Sequence, residues 1–309
     1  MRTEKELFEK AEKIYHQYSD SRYPKAIQAF KDLLELYPNN KQGWSMMSTM
    51  QSCSKLFDDA IFSINKAIEL SPEDAWTINQ KCTLLALISR FSADGQIYLD
   101  EQKKESYEIK SFPDKKGLIQ ELILILNKLL ELEGHDENKR HRHLWSLAHK
   151  YRAINRFDDA IESLVEAKKT IPSKYKGERY DRELANINRE ISSNYHDKKE
   201  FEKAIEFLNE AFKYGLDDYK RTMFADIYEE MGDNEQSRLV LIDLVDRIND
   251  KLEKAPEPSY VSQKVAILKR LDDRESLKTV LQHFEDIPDS DYKKKRVAEL
   301  EIEIKNYLQ

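Results

Sequence analysis

The sequence predicts an all-α protein, a right-handed α-solenoid of about seven antiparallel helix pairs closed by a C-terminal capping helix. Three observations carry this. Apolar residues recur at helical spacing along nearly the whole chain. Gly and Pro, at 7 and 8 of 309 residues, supply few turns for a strand-rich fold. One tract also repeats without a gap: LFDDAIFSINKAIELSP at 56–72 and RFDDAIESLVEAKKTIP at 156–172. A repeat of this length signals stacked units, because a single helical hairpin cannot bury its own apolar face.

The two best copies are residues 41–74 and 141–174. In the second, large apolar or aromatic residues stand at Leu144, Leu147, Tyr151, Phe157 and Leu164, small ones at Ala148, Ala160 and Ala167, and a proline at Pro172. The first copy offers Trp44, Met47, Ser48, Phe57, Ala60, Ile64, Ala67 and Pro72, and Pro38 lies 34 residues before Pro72. This pattern resembles the tetratricopeptide repeat family. The resemblance implies helix pairs in which small residues let two backbones approach, larger ones fill the gaps, and proline ends the second helix. It also implies a protein that binds other proteins.

In chain order the expected units are 4–40, 41–74, 75–136, 141–174, 176–217, 218–251 and 257–289, with a cap at 290–309, all in one superhelical domain. The first ends on Ala26, Phe30, Leu33 and Pro38. The third is interrupted: 75–90 and 117–133 read as its two helices, with an insertion near 91–116. Ile97 and Leu99, then Tyr107 and Ile109, alternate with polar neighbours around a polar turn. That alternation predicts a small β-hairpin, with a charged extra helix as the rival. The fifth unit carries Ile191, Ser192, Tyr195, Phe201, Ala204, Leu208 and Ala211, and the sixth turns at Gly232 and Asp233. The seventh is faint. In the cap, Val297, Leu300, Ile304 and Leu308 form a narrow apolar stripe.

Composition narrows the function. Net charge is −7, against the cationic excess that nucleic-acid binding requires. The apolar run at 122–126 is far too short to span a membrane, and the start lacks the apolar core of a signal peptide. Cys53 and Cys82 make neither a disulfide framework nor a CxxC metal site. A soluble cytoplasmic protein is expected. No nucleotide-binding, nucleophile-elbow or zinc-protease motif is present. No enzyme activity, cofactor, metal, nucleic acid or membrane is therefore expected. His135, His141, His143 and His149 cluster in sequence, but their spacing does not converge on one point.

The charge pattern is more informative. Residues 138–157 contain no acid but hold Lys139, Arg140, Arg142, Lys150, Arg152 and Arg156. In the family that the repeats resemble, positions 2, 5, 9 and 12 of each first helix face a concave groove. Those positions give Trp76 and Asn79 in the third unit, and Arg142, Trp145, His149 and Arg152 in the fourth. In the fifth they give Asn186, Arg189 and His196. Arg forks and Asn amides suit carboxylates and peptide backbone, and an exposed Trp anchors. The expected partner is another protein or peptide, acidic in character, held by a scaffold. The alternative for these residues is pairing with acids on adjacent helices, such as Asp158, Asp159 and Glu162. The alternative function is a regulatory sensor whose array changes curvature on binding a small ligand or signalling peptide. Some family members clamp a chaperone's C-terminal carboxylate with Lys and Asn at positions 5 and 9. Here Ser45 and Thr49, or Trp145 and His149, stand instead, and Glu190 occupies another clamp position.

Overall fold

The computed structural model describes residues 3–17, 22–93, 96–98, 106–108, 110–112, 114–285 and 287–309. The chain divides into two compact units, Met1–Lys174 and Tyr175–Gln309. The first contains α1 (Glu4–Tyr15), α2 (Arg22–Leu36), α3 (Lys41–Cys53), α4 (Phe57–Leu70), α5 (Ala75–Phe91), α6 (Lys115–Glu133), α7 (Glu137–Ala153) and α8 (Phe157–Lys169). The second contains α9 (Glu178–Asp197), α10 (Phe201–Lys213), α11 (Thr222–Met231), α12 (Asn234–Lys254), α13 (Pro258–Arg270), α14 (Arg274–Thr279) and α15 (Asp291–Leu308). Among the described residues these make four helix pairs in the first unit, and three pairs and a last helix in the second.

The packing shows why this sequence forms helix pairs. Ala60, Ala67, Ala160, Ala167, Ala204 and Ala211 are all fully buried. They lie on the second helices α4, α8 and α10, where a small side chain lets a neighbouring backbone approach to a distance that a larger one would forbid. Two pairs add a polar tie at this contact. Ser48 Oγ donates to the Ala60 carbonyl at 2.8 Å, and Ser192 Oγ to the Ala204 carbonyl at 2.6 Å. Phe30 and Leu33 centre the core of α1–α3, while Leu85, Ile88, Leu118, Leu122 and Leu129 fill that of α5 and α6.

The turns repeat more faithfully than the sequence does. Lys55, Asn155, Lys199, Gly232 and Asp272 follow the first helix of five pairs, and each has positive φ. In each case the next N–H bonds the carbonyl five residues back: Leu56 to Gln51, Arg156 to Tyr151, Glu200 to Tyr195, Asp233 to Tyr228 and Asp273 to Leu268, at 2.8–3.0 Å. This is the left-handed helix terminus that satisfies orphan carbonyls. The faint last pair, α13 and α14, carries the same turn as the clearest ones.

Between α5 and α6 lie three short extended segments, β1 (Ser92–Ala93), β2 (Gln96–Tyr98) and β3 (Ser106–Glu108), paired antiparallel with Ile97 opposite Tyr107. Residues 99–105, where the expected hairpin would turn, lie outside the described residues. The segment's exit is anchored. The backbone N–H groups of Lys110 and Ser111 donate to the Asp58 carboxylate at 3.0 and 2.8 Å, and Ser111 Oγ donates at 2.5 Å. Partial burial works against this carboxylate, but the three donors hold its pKa below the ordinary value.

The two units differ in charge. Residues 1–174 hold 27 Lys and Arg against 27 Asp and Glu, whereas residues 175–309 hold 24 against 31. All of the net negative charge thus belongs to the second unit. An acidic whole-chain balance therefore does not oppose an anionic ligand on the first.

Candidate functional site

In the first unit, α5, α6 and α7 enclose a cleft of about 360 Å³. Its walls come from identifiable positions. Trp76 and Asn79 stand one turn apart on α5, Leu126 and Glu133 come from α6, and Lys139, Arg142, His143 and Ser146 come from α7. Asp136 starts α7 by accepting from the N–H groups of Asn138 and Lys139 at 2.9 and 3.1 Å. That cap fixes the direction in which the basic turn of α7 leaves.

The electrostatics of the cleft follow from one carboxylate. Glu133 accepts from Lys139 Nζ at 2.5 Å and lies 3.3 Å from His143 Nε2. Burial raises the cost of charging Glu133, yet Lys139 and His143 together hold its pKa below the ordinary carboxylate range. Burial dominates at His143, which is 7% exposed, and pushes its pKa down despite Glu133. His143 is therefore neutral near pH 7. Cys82 also lines the cleft, with its thiol pushed up by burial.

A pH dependence follows, with a definite sign. A depressed carboxylate stabilises the fold above its unfolded pKa, about 4.3, and that contribution disappears as pH falls through the folded value. A depressed histidine acts in the same direction. Below about pH 6.5 the unfolded chain takes up a proton that the folded chain refuses. The urea midpoint of the first unit, followed by tryptophan emission, is expected to fall from pH 7 to 5, and further below 4.5. His143→Gln should remove most of the first fall. An unchanged profile in that variant would refute the assignment.

The structure places the nine nominated residues as follows. Trp76, Asn79 and Arg142 share the cleft. Trp76 is 55% exposed, Asn79 and Arg142 are also exposed, and neither of their polar ends is engaged among the described residues. Trp145 and His149 lie further along α7. The Trp145 ring sits between His141 and His149, at 6.1 and 6.0 Å, and is half-buried like Arg152. Asn186, Arg189 and His196 belong to the second unit. Arg189 pairs with Glu190 at 2.7 Å, and His196 lies 3.3 Å from Glu230.

The acid-free stretch is largely consumed by acids outside it. Lys139 pairs with Glu133, Arg140 with Glu166 at 3.0 Å, and Arg156 with Asp159 at 2.7 Å. Arg142 is the exception within the cleft. The histidines have separate partners: His141 Nδ1 meets the Ala167 carbonyl at 3.0 Å, while His143 meets Glu133. Sequence reasoning did not anticipate Glu133, Lys139 and His143 as one network. Their spacing of six and ten residues crosses the α6–α7 turn, so no helical periodicity reveals it.

No family model and no curated protein matches the chain. Among solved structures, MamA from Desulfovibrio magneticus RS-1 is similar at 11% identity and a TM-score of 0.44, over 68% of this chain and 94% of that one. YrrB, described as a TPR protein with an unusual peptide-binding site, is similar at 14% identity and 0.41, over 63% and 79%. PilF of Pseudomonas aeruginosa gives 11% and 0.41, over 79% and 92%. Similarity at this level says nothing about partner, ligand or chemistry.

Proposed function

We propose that the chain is a non-enzymatic scaffold whose first unit captures a protein segment by an acidic side chain or terminal carboxylate, in the cleft of α5–α7. The observation that carries this is the grouping of three uncommitted surfaces. Trp76 offers a broad apolar face, Asn79 an amide, and Arg142 a guanidinium without an ion pair among the described residues. A guanidinium fork binds a carboxylate through two parallel hydrogen bonds, an amide reads peptide backbone, and an exposed indole supplies contact area at little conformational cost. Glu133 does not compete for Arg142, because Lys139 and His143 already occupy its oxygens. Trp145, His149 and Arg152 continue along α7 and would receive the rest of the segment.

The test is a peptide array probed with the purified chain. Each Asp- or Glu-containing peptide is matched by its Asn or Gln counterpart. Acidic members should be retained and their amide counterparts should not. Retention should weaken as salt rises, since the screening length falls from about 8 Å at 0.15 M to about 3 Å at 1 M. Equal retention of both sets would refute the proposal.

A further inference from the structure

Arg142 and His143 are consecutive residues of α7, and both line the cleft. Arg142 is exposed and permanently charged, whereas His143 is 7% exposed. Glu133 of α6 decides which ring nitrogen of His143 carries the proton. An ionised carboxylate only accepts, so Nε2, 3.3 Å away, holds the hydrogen and Nδ1 keeps the lone pair. Nδ1 has no hydrogen-bond partner among the described residues and is not one of their buried unpaired atoms, so it reaches the surface. The surface that His143 lines is the cleft. Protonation of the ring would place a second N–H there, with no protein group to accept from it.

The groups that face His143 are Glu133 from α6, Lys139 and Arg142 from its own helix, and Cys82 from α5. Lys139 and Arg142 are cations between pH 8 and 5.5. Glu133, whose carboxyl stays below its ordinary range despite burial, is an anion throughout, and the Cys82 thiol, pushed up by burial, is neutral. Among the lining residues His143 alone changes charge in this window. In the empty cleft burial opposes its protonation, Glu133 favours it, and Arg142 and Lys139 oppose it again. An anion seated against Arg142 shifts that balance. It offsets the two cations and supplies the acceptor that a second ring N–H lacks.

We propose that capture in this cleft is coupled to proton uptake at His143, so that the scaffold grips an acidic segment more tightly as its surroundings turn mildly acidic. This rests on the capture reading above and adds a switch to it. The coupling is reciprocal: the protonated ring strengthens the hold on the anion, and the anion draws the proton onto the ring. Below about pH 4.5 the segment's own carboxyl takes up a proton and the grip is lost again.

Isothermal titration of the full chain with an acidic peptide retained on the array tests it, between pH 8 and 5.5. Kd should fall about three- to tenfold across this range, the scale of one partly screened charge pair. Titrations in two buffers of different ionisation heat should show net proton uptake on binding. His143→Gln keeps an N–H for Glu133 but cannot take up a proton, and it leaves every other histidine in place. That variant, its fold checked by far-UV circular dichroism, should bind with one affinity at every pH. A wild-type affinity that does not change with pH overturns the inference and leaves the capture reading standing. So does a His143→Gln chain that keeps the wild-type slope. An array that retains no acidic peptide ends the capture reading, and this inference with it.

Discussion

Leu122→Ala is expected to lower the unfolding free energy of the first unit by about 3–5 kcal/mol, while Leu124→Ala, two residues along the same helix, should change it by less than about 0.5 kcal/mol. Leu122 is fully buried among Leu85, Ile88, Leu118 and Leu129, whereas Leu124 is 65% exposed. The first truncation loses transfer free energy and leaves a cavity that helices on both sides hold open. The second removes surface that water already reaches. The effect is large at Leu122 for a topological reason. α5 and α6 are separated by the inserted segment, so no short turn sets their register and the apolar contact must do so. Urea unfolding followed by tryptophan emission is the measurement. Trp44, Trp76 and Trp145, the three tryptophans of the chain, all lie in the first unit. Equal midpoints for the two variants would refute this account of the α5–α6 core.

Arg142→Glu is expected to weaken capture of an acidic peptide by about 10- to 100-fold, equivalent to roughly 1.4–2.8 kcal/mol. The reversal removes an attraction and installs a repulsion, but Arg142 is exposed, so water screens both. Arg142→Lys should lose less than the reversal, because an ammonium keeps the charge but not the planar fork. Trp76→Ala should weaken acidic and neutral peptides alike, since the indole contributes area rather than charge. Isothermal titration with an array-selected peptide distinguishes these patterns. An Arg142→Glu chain that binds the acidic peptide as tightly as the wild type would move the site elsewhere.

The parts of this fold that the sequence made legible are those set by local spacing. Alanines seven residues apart mark helix contacts, and the F-D-D-A-I tract marks the start of a second helix. Trp76 and Asn79 fall on α5 and Arg142 on α7, and the three line one cleft. What was not legible depends on turns and distant pairs. Glu133 reaches Lys139 and His143 across a turn, and Arg140 reaches Glu166 from 26 residues away. The basic stretch therefore reads as one positive patch in sequence, yet much of it is neutralised in space. Asp58 is a plain member of its motif until the folded chain brings Ser111 to it.

The left-handed turns have a consequence for how this protein can vary. Lys55 and Lys199 hold L side chains at φ of 64°, a conformation that costs roughly 1 kcal/mol and that glycine adopts freely. The helix ends impose this geometry, since the same bond closes the turn whether the residue is Lys, Asn, Asp or Gly. Lys55→Gly or Lys199→Gly should therefore be tolerated, with a gain of up to about 0.5 kcal/mol after the extra freedom of the unfolded chain is counted. A fall in Tm in both variants would show that the lysines contribute something beyond the turn. Substitution at these turns can therefore shift heat tolerance without touching the α5–α7 cleft.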